Sequence, residues 1–268
     1  MAELIFDNHT HSKHSFDGCE EVFDICRSAV EKGVKGIAIT DHCELGVYYL
    51  DDWHQQLSEL KDEIAAAREQ FGDRLDISFG VELGEPTHDP ELAAKVLNSF
   101  DYDFVLCSIH NVRDTKDFYF LSDTQFDRKK MIDLYFAEQL EMAKQNLFDS
   151  FAHLTYAYRY LGHSAGTPEP RDYEELLREL FKTLAQNGKA LELNTSGRYR
   201  TPQLEMMPTL WEFKLFKECG GEFVTLGSDA HKAEFVAGGF AEGRELLKAA
   251  GFQYHCFFKN RERKCYKL

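Results

Sequence analysis

The chain has 268 residues, 43% hydrophobic and 29% charged, with a formal net charge of −15. The length suits one barrel-sized domain spanning residues 1–268, and no apolar run approaches the roughly 18 residues that a membrane helix needs. The acidic balance argues against a nucleic-acid polymer as partner, because such surfaces are basic, and it means that an anionic substrate would need local cations to reverse the potential inside a pocket.

The N-terminal Met1-Ala2-Glu3-Leu4-Ile5-Phe6 has neither the basic region nor the apolar core of a signal peptide. It leads into a first predicted strand, Leu4–Asn8, which ends in His9-Thr10-His11. Residues i and i+2 of a strand point to one side, so His9 and His11 can reach one ion together. His14 and Asp17 follow in the next loop. Gly18 permits a sharp turn that folds Asp17 back over the strand end; the alternative is that Asp17 caps a helix beginning near Glu20. Val22, Ile25, Cys26 and Ala29 share one face of that helix, and Gly33 stops it.

The pattern then repeats. A second strand, Gly36–Thr40, runs into Thr40-Asp41-His42, and helical spacing covers roughly 51–71. A third, Ile77–Val81, is followed by Glu82 and a helical stretch at 89–99. The fourth, Phe104–Ser108, leads to His110 and a helix at 125–146. The fifth, Phe151–Ala152, leads to His153, with Arg159 and a helix at 172–187 beyond it. The sixth, Ala190–Asn194, is followed by Arg198 and a helix at 203–219. The seventh, Glu222–Gly227, runs into Ser228-Asp229-Ala230-His231 and a helix at 240–250. Gln253–Phe258 and Arg263–Lys267 read as a closing hairpin around Lys259-Asn260-Arg261-Glu262.

Alternation of this kind predicts a parallel α/β architecture. Seven repeats suggest a barrel, although an open doubly wound sheet gives the same pattern. Either way, the strand ends share a rim, where active sites of such folds lie. Imidazoles and carboxylates without a thiolate cluster suit Zn, Mn, Fe or Co. Their number oversupplies one four-coordinate ion and points to two or three. His54, His88, His163 and His255 occupy no matching position and read as surface or core residues. Seven cysteines with no C-x-x-C pair fit a reducing, cytoplasmic setting, and Cys43 and Cys107 read as small buried thiols.

His9-Thr10-His11-Ser12, Thr40-Asp41-His42, Glu82 with His110, and Ser228-Asp229-Ala230-His231 resemble the four motifs of the PHP (polymerase and histidinol phosphatase) family. Leu193-Asn194-Thr195-Ser196-Gly197 and Phe258-Lys259-Asn260-Arg261 are most similar to its stand-alone histidinol-phosphate phosphatases. The resemblance implies a distorted seven-stranded (βα)7 barrel with two to three divalent transition metals (Zn, Mn or Fe). It implies hydrolysis of a small phosphomonoester, L-histidinol phosphate above all. By position, His9, His11, Glu82 and Asp229 would hold a first metal. Glu82 would bridge to a second on His110 and His153, and Asp17, His42 and His231 would hold a third. The catalytic core of this expectation is Asp17, His42, Glu82 and Asp229. The proton donor stays open among Asp17, His42 and a metal-held water. Arg159 and Arg198 are the candidate phosphate clamps, since guanidinium matches phosphate bidentately. Asn111 departs from the second histidine common after the third motif. An amidohydrolase-like barrel would use a modified lysine where Glu82 stands, a nuclease would suit a less acidic chain, and a non-catalytic metal module would lack turnover.

Overall fold

The computed structural model describes residues 4–45, 52–121, 127–162, 167–200 and 204–268. Seven strands among these follow one another in a single parallel path: β1 (Ile5–Thr10), β2 (Val34–Ile39), β4 (Asp76–Gly84), β5 (Phe104–Ser108), β6 (Ser150–Phe151), β7 (Ala190–Asn194) and β8 (Val224–Gly227). A short β3 (His42–Glu44) pairs beside β4, with His42 opposite Glu82 and Glu44 opposite Gly84. The path nearly closes. Thr10 bridges Ala230, the Asp229 N–H donates to the His9 carbonyl at 2.8 Å, and the His11 N–H donates to the Ala230 carbonyl at 2.9 Å. The result is the barrel expected from the alternation, rather than an open sheet.

Helices lie outside the strands. They are α1 (Val22–Glu31), α2 (Trp53–Phe71), α3 (Pro90–Ser99), α4 (Arg128–Gln145), α5 (Tyr156–Leu161), α6 (Glu174–Gln186), α7 (Ser196–Arg200), α8 (Leu210–Glu218) and α9 (Phe240–Ala249). Each longer helix buries one stripe, as Val22, Ile25, Cys26 and Ala29 do on α1. None is long and apolar enough to cross a membrane. Cys43 and Cys107 are buried.

Inside the barrel, the lower half is a separate apolar cluster. Phe6, Ala38, Phe104, Leu106 and Ala190 meet Phe257 and Phe258 of the C-terminal hairpin. That hairpin is β9 (Tyr254–Lys259) paired antiparallel with β10 (Glu262–Lys267), as the alternating tail predicted. It plugs the end opposite the rim. A Cβ at Gly36 would lie 2.7 Å from the Phe6 ring and 2.9 Å from the Phe257 ring, so only glycine lets the plug seat. The polar upper half is left for chemistry.

Some boundaries differ from expectation. β1 extends through Thr10 and β4 through Gly84, so His9 and Glu82 lie within strands. β3, α5 and α7 are too short to show as periodicity. The 203–219 stretch is helical only from Leu210, because Met207 is drawn into a bridge with Asn194. Met1–Glu3, Asp51, residues 125–126 and 203, and His163 fall outside the described residues.

The plug is fastened by Asp103. One carboxylate oxygen accepts the Asn260 N–H at 2.9 Å; the other accepts the Phe79 N–H at 2.8 Å and meets the Lys259 ammonium at 3.1 Å and the Arg68 guanidinium. Burial raises its pKa, but these hydrogen bonds and cations outweigh it and hold the carboxyl below its usual value. Its contribution is therefore present above the ordinary aspartate range and lost as pH falls through the lowered value. Asp103→Ala should cost about 1–3 kcal/mol in urea unfolding at neutral pH, chiefly because the Phe79 and Asn260 N–H groups lose their acceptor. Metal binding at the far end should be unchanged.

Candidate metal centre

Glu82 is fully buried near the middle of the upper rim. Its Oε2 lies 2.9 Å from His9 Nε2, 3.4 Å from His11 Nε2 and 3.2 Å from His42 Nδ1. Its Oε1 lies 2.9 Å from His153 Nε2 and 3.2 Å from His110 Nε2. Asp229 Oδ1 faces His11 Nε2 at 3.5 Å and His9 Nε2 at 3.9 Å. Asp17 meets His231 Nε2 at 2.9 Å and His42 Nε2 at 3.7 Å. All nine sequence-derived ligand candidates thus come together, from six strand ends and one loop. The groups with metal-like spacing among the described residues are His9–His11–Asp229, His9–Glu82–His153, His42–Glu82–His110 and His11–His42–His231, with Glu44–Glu85–His110 behind them, outside the expected ligand set. Helix α1 begins at Val22 behind Glu21, so Asp17 does not cap it.

The hydrogen bonds around His11 test whether a cation fits. The Ser15 hydroxyl donates to Asp41 Oδ1 at 2.9 Å and accepts the His42 N–H at 3.0 Å. It has spent its proton, so its 3.0 Å contact with His11 Nδ1 requires the imidazole proton to sit on Nδ1. His11 Nε2 is then a bare lone pair, buried and without a hydrogen bond among the described residues. Two carboxylate oxygens face it. A buried imidazole lone pair facing two carboxylate oxygens is what a divalent cation resolves and what an apolar or neutral filler does not.

Electrostatics agree with that reading. Burial pushes every group here toward its neutral form. Glu82 nevertheless lies well below the usual carboxylate range, because His9, His42 and His110 outweigh burial. Against the same burial, Glu192 and Glu82 hold His9 well above the usual imidazole value, and Glu44 and Glu82 do so for His110. Glu82 and Glu44 lift His42 to about 9. For Asp17, burial is outweighed by the hydrogen bond to His231 and the charge of His42, which draw it down. His11 moves the other way. Burial, then the charges of His231 and His42, leave it neutral.

The remaining candidates divide. Arg159, on α5, lines the cleft, donates to the Ser196 hydroxyl and lies 3.8 Å from Asp229 Oδ2. Arg198 is exposed on α7, where it lines a neighbouring cavity with Arg171 and Trp211. His14 faces Glu63 at 3.3 Å and His88 faces Glu138 at 2.9 Å, both away from the cleft. His54 stands against Phe100, and His255 is buried beside Phe6 and Tyr266. Asn111 donates to the carbonyls of Val112 and Thr115, fixing a turn.

Sequence reading missed the carboxylates behind the ligands. Asp41 accepts from the backbone and hydroxyl of Ser12, Glu192 from His9 Nδ1 and Glu44 from His110 Nδ1. A charged residue at the centre of the apolar strand Ala190–Asn194 was the available signal for Glu192. The cleft above the cluster has a volume of about 350 Å³. Tyr156 closes one side, its hydroxyl donating to Asp117 at 3.1 Å, while exposed Phe16, Tyr119 and Phe120 form the lip.

The PHP domain model matches residues 7–196. A histidinol-phosphatase of Lactococcus lactis is 30% identical over 254 residues, covering 92% of this chain and 91% of that protein. A crystal structure of histidinol phosphate phosphatase from Lactococcus lactis, complexed with Zn, L-histidinol and phosphate, superposes with a TM-score of 0.84 at 27% identity, over 98% of this chain and 100% of the other. A structure from Listeria monocytogenes, 16% identical, shares the fold with a TM-score of 0.76 over 88% of this chain and 99% of the other. Barrel, rim and ligand order therefore agree with a sequence match that runs from the first strand past the sixth: the chain belongs to the PHP domain family.

Proposed function

We propose that the chain is a metal-dependent phosphomonoesterase that hydrolyses L-histidinol phosphate to L-histidinol and phosphate, a cytoplasmic step of histidine biosynthesis. The observation that carries the chemistry is the convergence of bare or carboxylate-paired imidazoles on Glu82, Asp229 and Asp17. His9, His11, Glu82 and Asp229 would hold one ion, Glu82, His110 and His153 a second, and Asp17, His42 and His231 a third. Bound there, such metals neutralise phosphoryl oxygens and make a water acidic enough to attack at neutral pH.

The rest is done by the chain itself. Arg159 is braced by Ser196 and Asp229, so its guanidinium is oriented before a phosphate arrives. Its charge offsets the overall acidity where the phosphoryl group sits. The cleft walls exclude bulk water, which strengthens each of these interactions. The lip of Phe16, Tyr119 and Phe120 and the Asp117 carboxylate offer the leaving group an aromatic and anionic wall, suited to an imidazole-bearing ammonium. Asp17 is the ligand candidate nearest the mouth, half exposed and paired with His231, so the ion it would help to hold lies closest to an entering phosphate.

Metal-replete protein should cleave L-histidinol phosphate faster than nucleotides and sugar phosphates, and chelation should abolish the activity. Faster turnover of a nucleotide would remove the substrate, and full activity after chelation would remove the mechanism. Arg159→Ala should lower kcat/KM by about 10²-fold or more with metal content unchanged. Arg198→Ala should stay within about twofold. Protons and metals compete for the imidazoles, three of which (His9, His42 and His110) are held above their ordinary values, His42 at about 9. Metal affinity should therefore rise with pH from 6.5 to 8.5, by about tenfold per unit for each proton displaced. A chelator competition that gives one affinity across this range would contradict the proposed ligand set.

A further inference from the structure

Two buried glutamates outside the expected ligand set share one construction. Glu192 stands on β7 and reaches His9 on β1, two strands along the closing barrel, with Oε1 2.6 Å from His9 Nδ1. The reach crosses β8 at Gly227, where a Cβ would lie 2.1 Å from that oxygen. Glu44 stands on β3 and reaches His110 just beyond β5, with Oε2 3.2 Å from His110 Nδ1. That reach crosses β4 at Gly84, where a Cβ would lie 1.9 Å from the same oxygen. In both cases a carboxylate passes over a glycine to an imidazole two strands away, and the far nitrogen of the ring, Nε2, points at Glu82.

We propose that Glu192 and Glu44 are paired positioning residues, each fixing the Nδ1–H tautomer and the ring angle of one metal-binding histidine, and that Gly227 and Gly84 exist to admit them. The inference rests on the metal reading above. A ligand imidazole offers Nε2 to an ion only if its proton is kept on Nδ1, and a carboxylate at Nδ1 both keeps it there and raises the basicity of Nε2. Each carboxylate is itself held. Glu192 Oε2 accepts the His153 N–H at 2.8 Å, which ties the His9 support to the strand end bearing His153. Glu44 Oε1 also lies 2.7 Å from His42 Nδ1, an ion-pair contact outside hydrogen-bond geometry. The adjacent Glu85 accepts the His110 N–H at 2.6 Å and anchors that strand end from below. Neither glutamate lines the cleft, so their effect runs through the histidines.

The discriminating variant is Gly84→Ala. It touches no ligand, adds one methyl group and displaces Glu44 from outside. Cobalt(II) affinity of the chelated, reloaded chain is measured by competition with a chromophoric chelator, and its visible spectrum is recorded. Glu192→Ala and Glu44→Ala should each weaken cobalt binding by about 10–100-fold and alter the spectrum. Glu192→Gln and Glu44→Gln keep size and one acceptor oxygen but lose the charge, and in Glu192→Gln the amide NH2 must meet one of the two donors, so each should recover only part of the affinity. Gly84→Ala should reproduce Glu44→Ala, and the double variant should be no worse than either, because both remove one interaction. Circular dichroism of the metal-free variants separates a lost fold from a lost ligand, and the Gln variants carry the comparison if an Ala variant does not fold. Wild-type affinity and spectrum in both Ala variants, or additive losses for Gly84→Ala and Glu44→Ala, would overturn the positioning role alone. Failure of the unsubstituted chain to bind cobalt would overturn the metal reading, and this inference with it.

Discussion

Glu82 has no access to solvent, yet five imidazole rings crowd its two oxygens at 2.9 to 3.4 Å. An isolated carboxylate could not stay ionised there, because the cost of taking it out of water would exceed what folding supplies. It remains charged because the imidazoles of His9, His42 and His110, each carried near a strand end, are brought to it. The barrel is the device that does so: parallel strands aim their C-terminal ends at one rim, and closure between β1 and β8 brings the first and last motifs together. An open sheet would leave His9 and Asp229 on opposite edges. Closure is thus the condition on which the cluster depends.

The outer layers of the design follow from that demand. Imidazoles next to Glu82 need their second nitrogen occupied, and Glu192, Glu44 and the Ser15–Asp41 pair occupy it. Those carboxylates are buried in turn, so serine hydroxyls, backbone N–H groups and missing glycine side chains surround them. The lower half of the barrel holds only a few neutral polar contacts, such as those of Ser78 and Asn8 to carbonyls of the hairpin. It is filled by aromatic rings and closed by a hairpin, so the fold is stabilised at one end while the other is left to bind ions.

Much of the site was legible because it is written in short spacings. His9-x-His11 and Asp229-x-His231 state their common side directly, and β5 and β7 lie at their predicted boundaries. What escaped was whatever depends on distance through space. Glu192 and Glu44 act on histidines far away in sequence, and no local pattern records a carboxylate crossing a neighbouring strand. Arg198 shows how little a position after a strand end says about direction. Its position after a strand end matched that of Arg159, but the five-residue α7 turns it outward, and so short a helix leaves no periodicity from which to read a direction.

The seam between β1 and β8 has a further consequence. Few backbone hydrogen bonds close it, and the two that flank the site are made by His9, His11, Asp229 and Ala230, three of which are ligand candidates. Occupancy of the centre and zipping of the barrel edge are therefore one thermodynamic event, linked by mass action: an ion that binds only the closed form stabilises it in proportion to the logarithm of its concentration over its dissociation constant. Metal supply then governs more than turnover. Ions held between His9, His11 and Asp229 would span the line on which the barrel closes, so the groups that serve hydrolysis also act as a clasp across the seam.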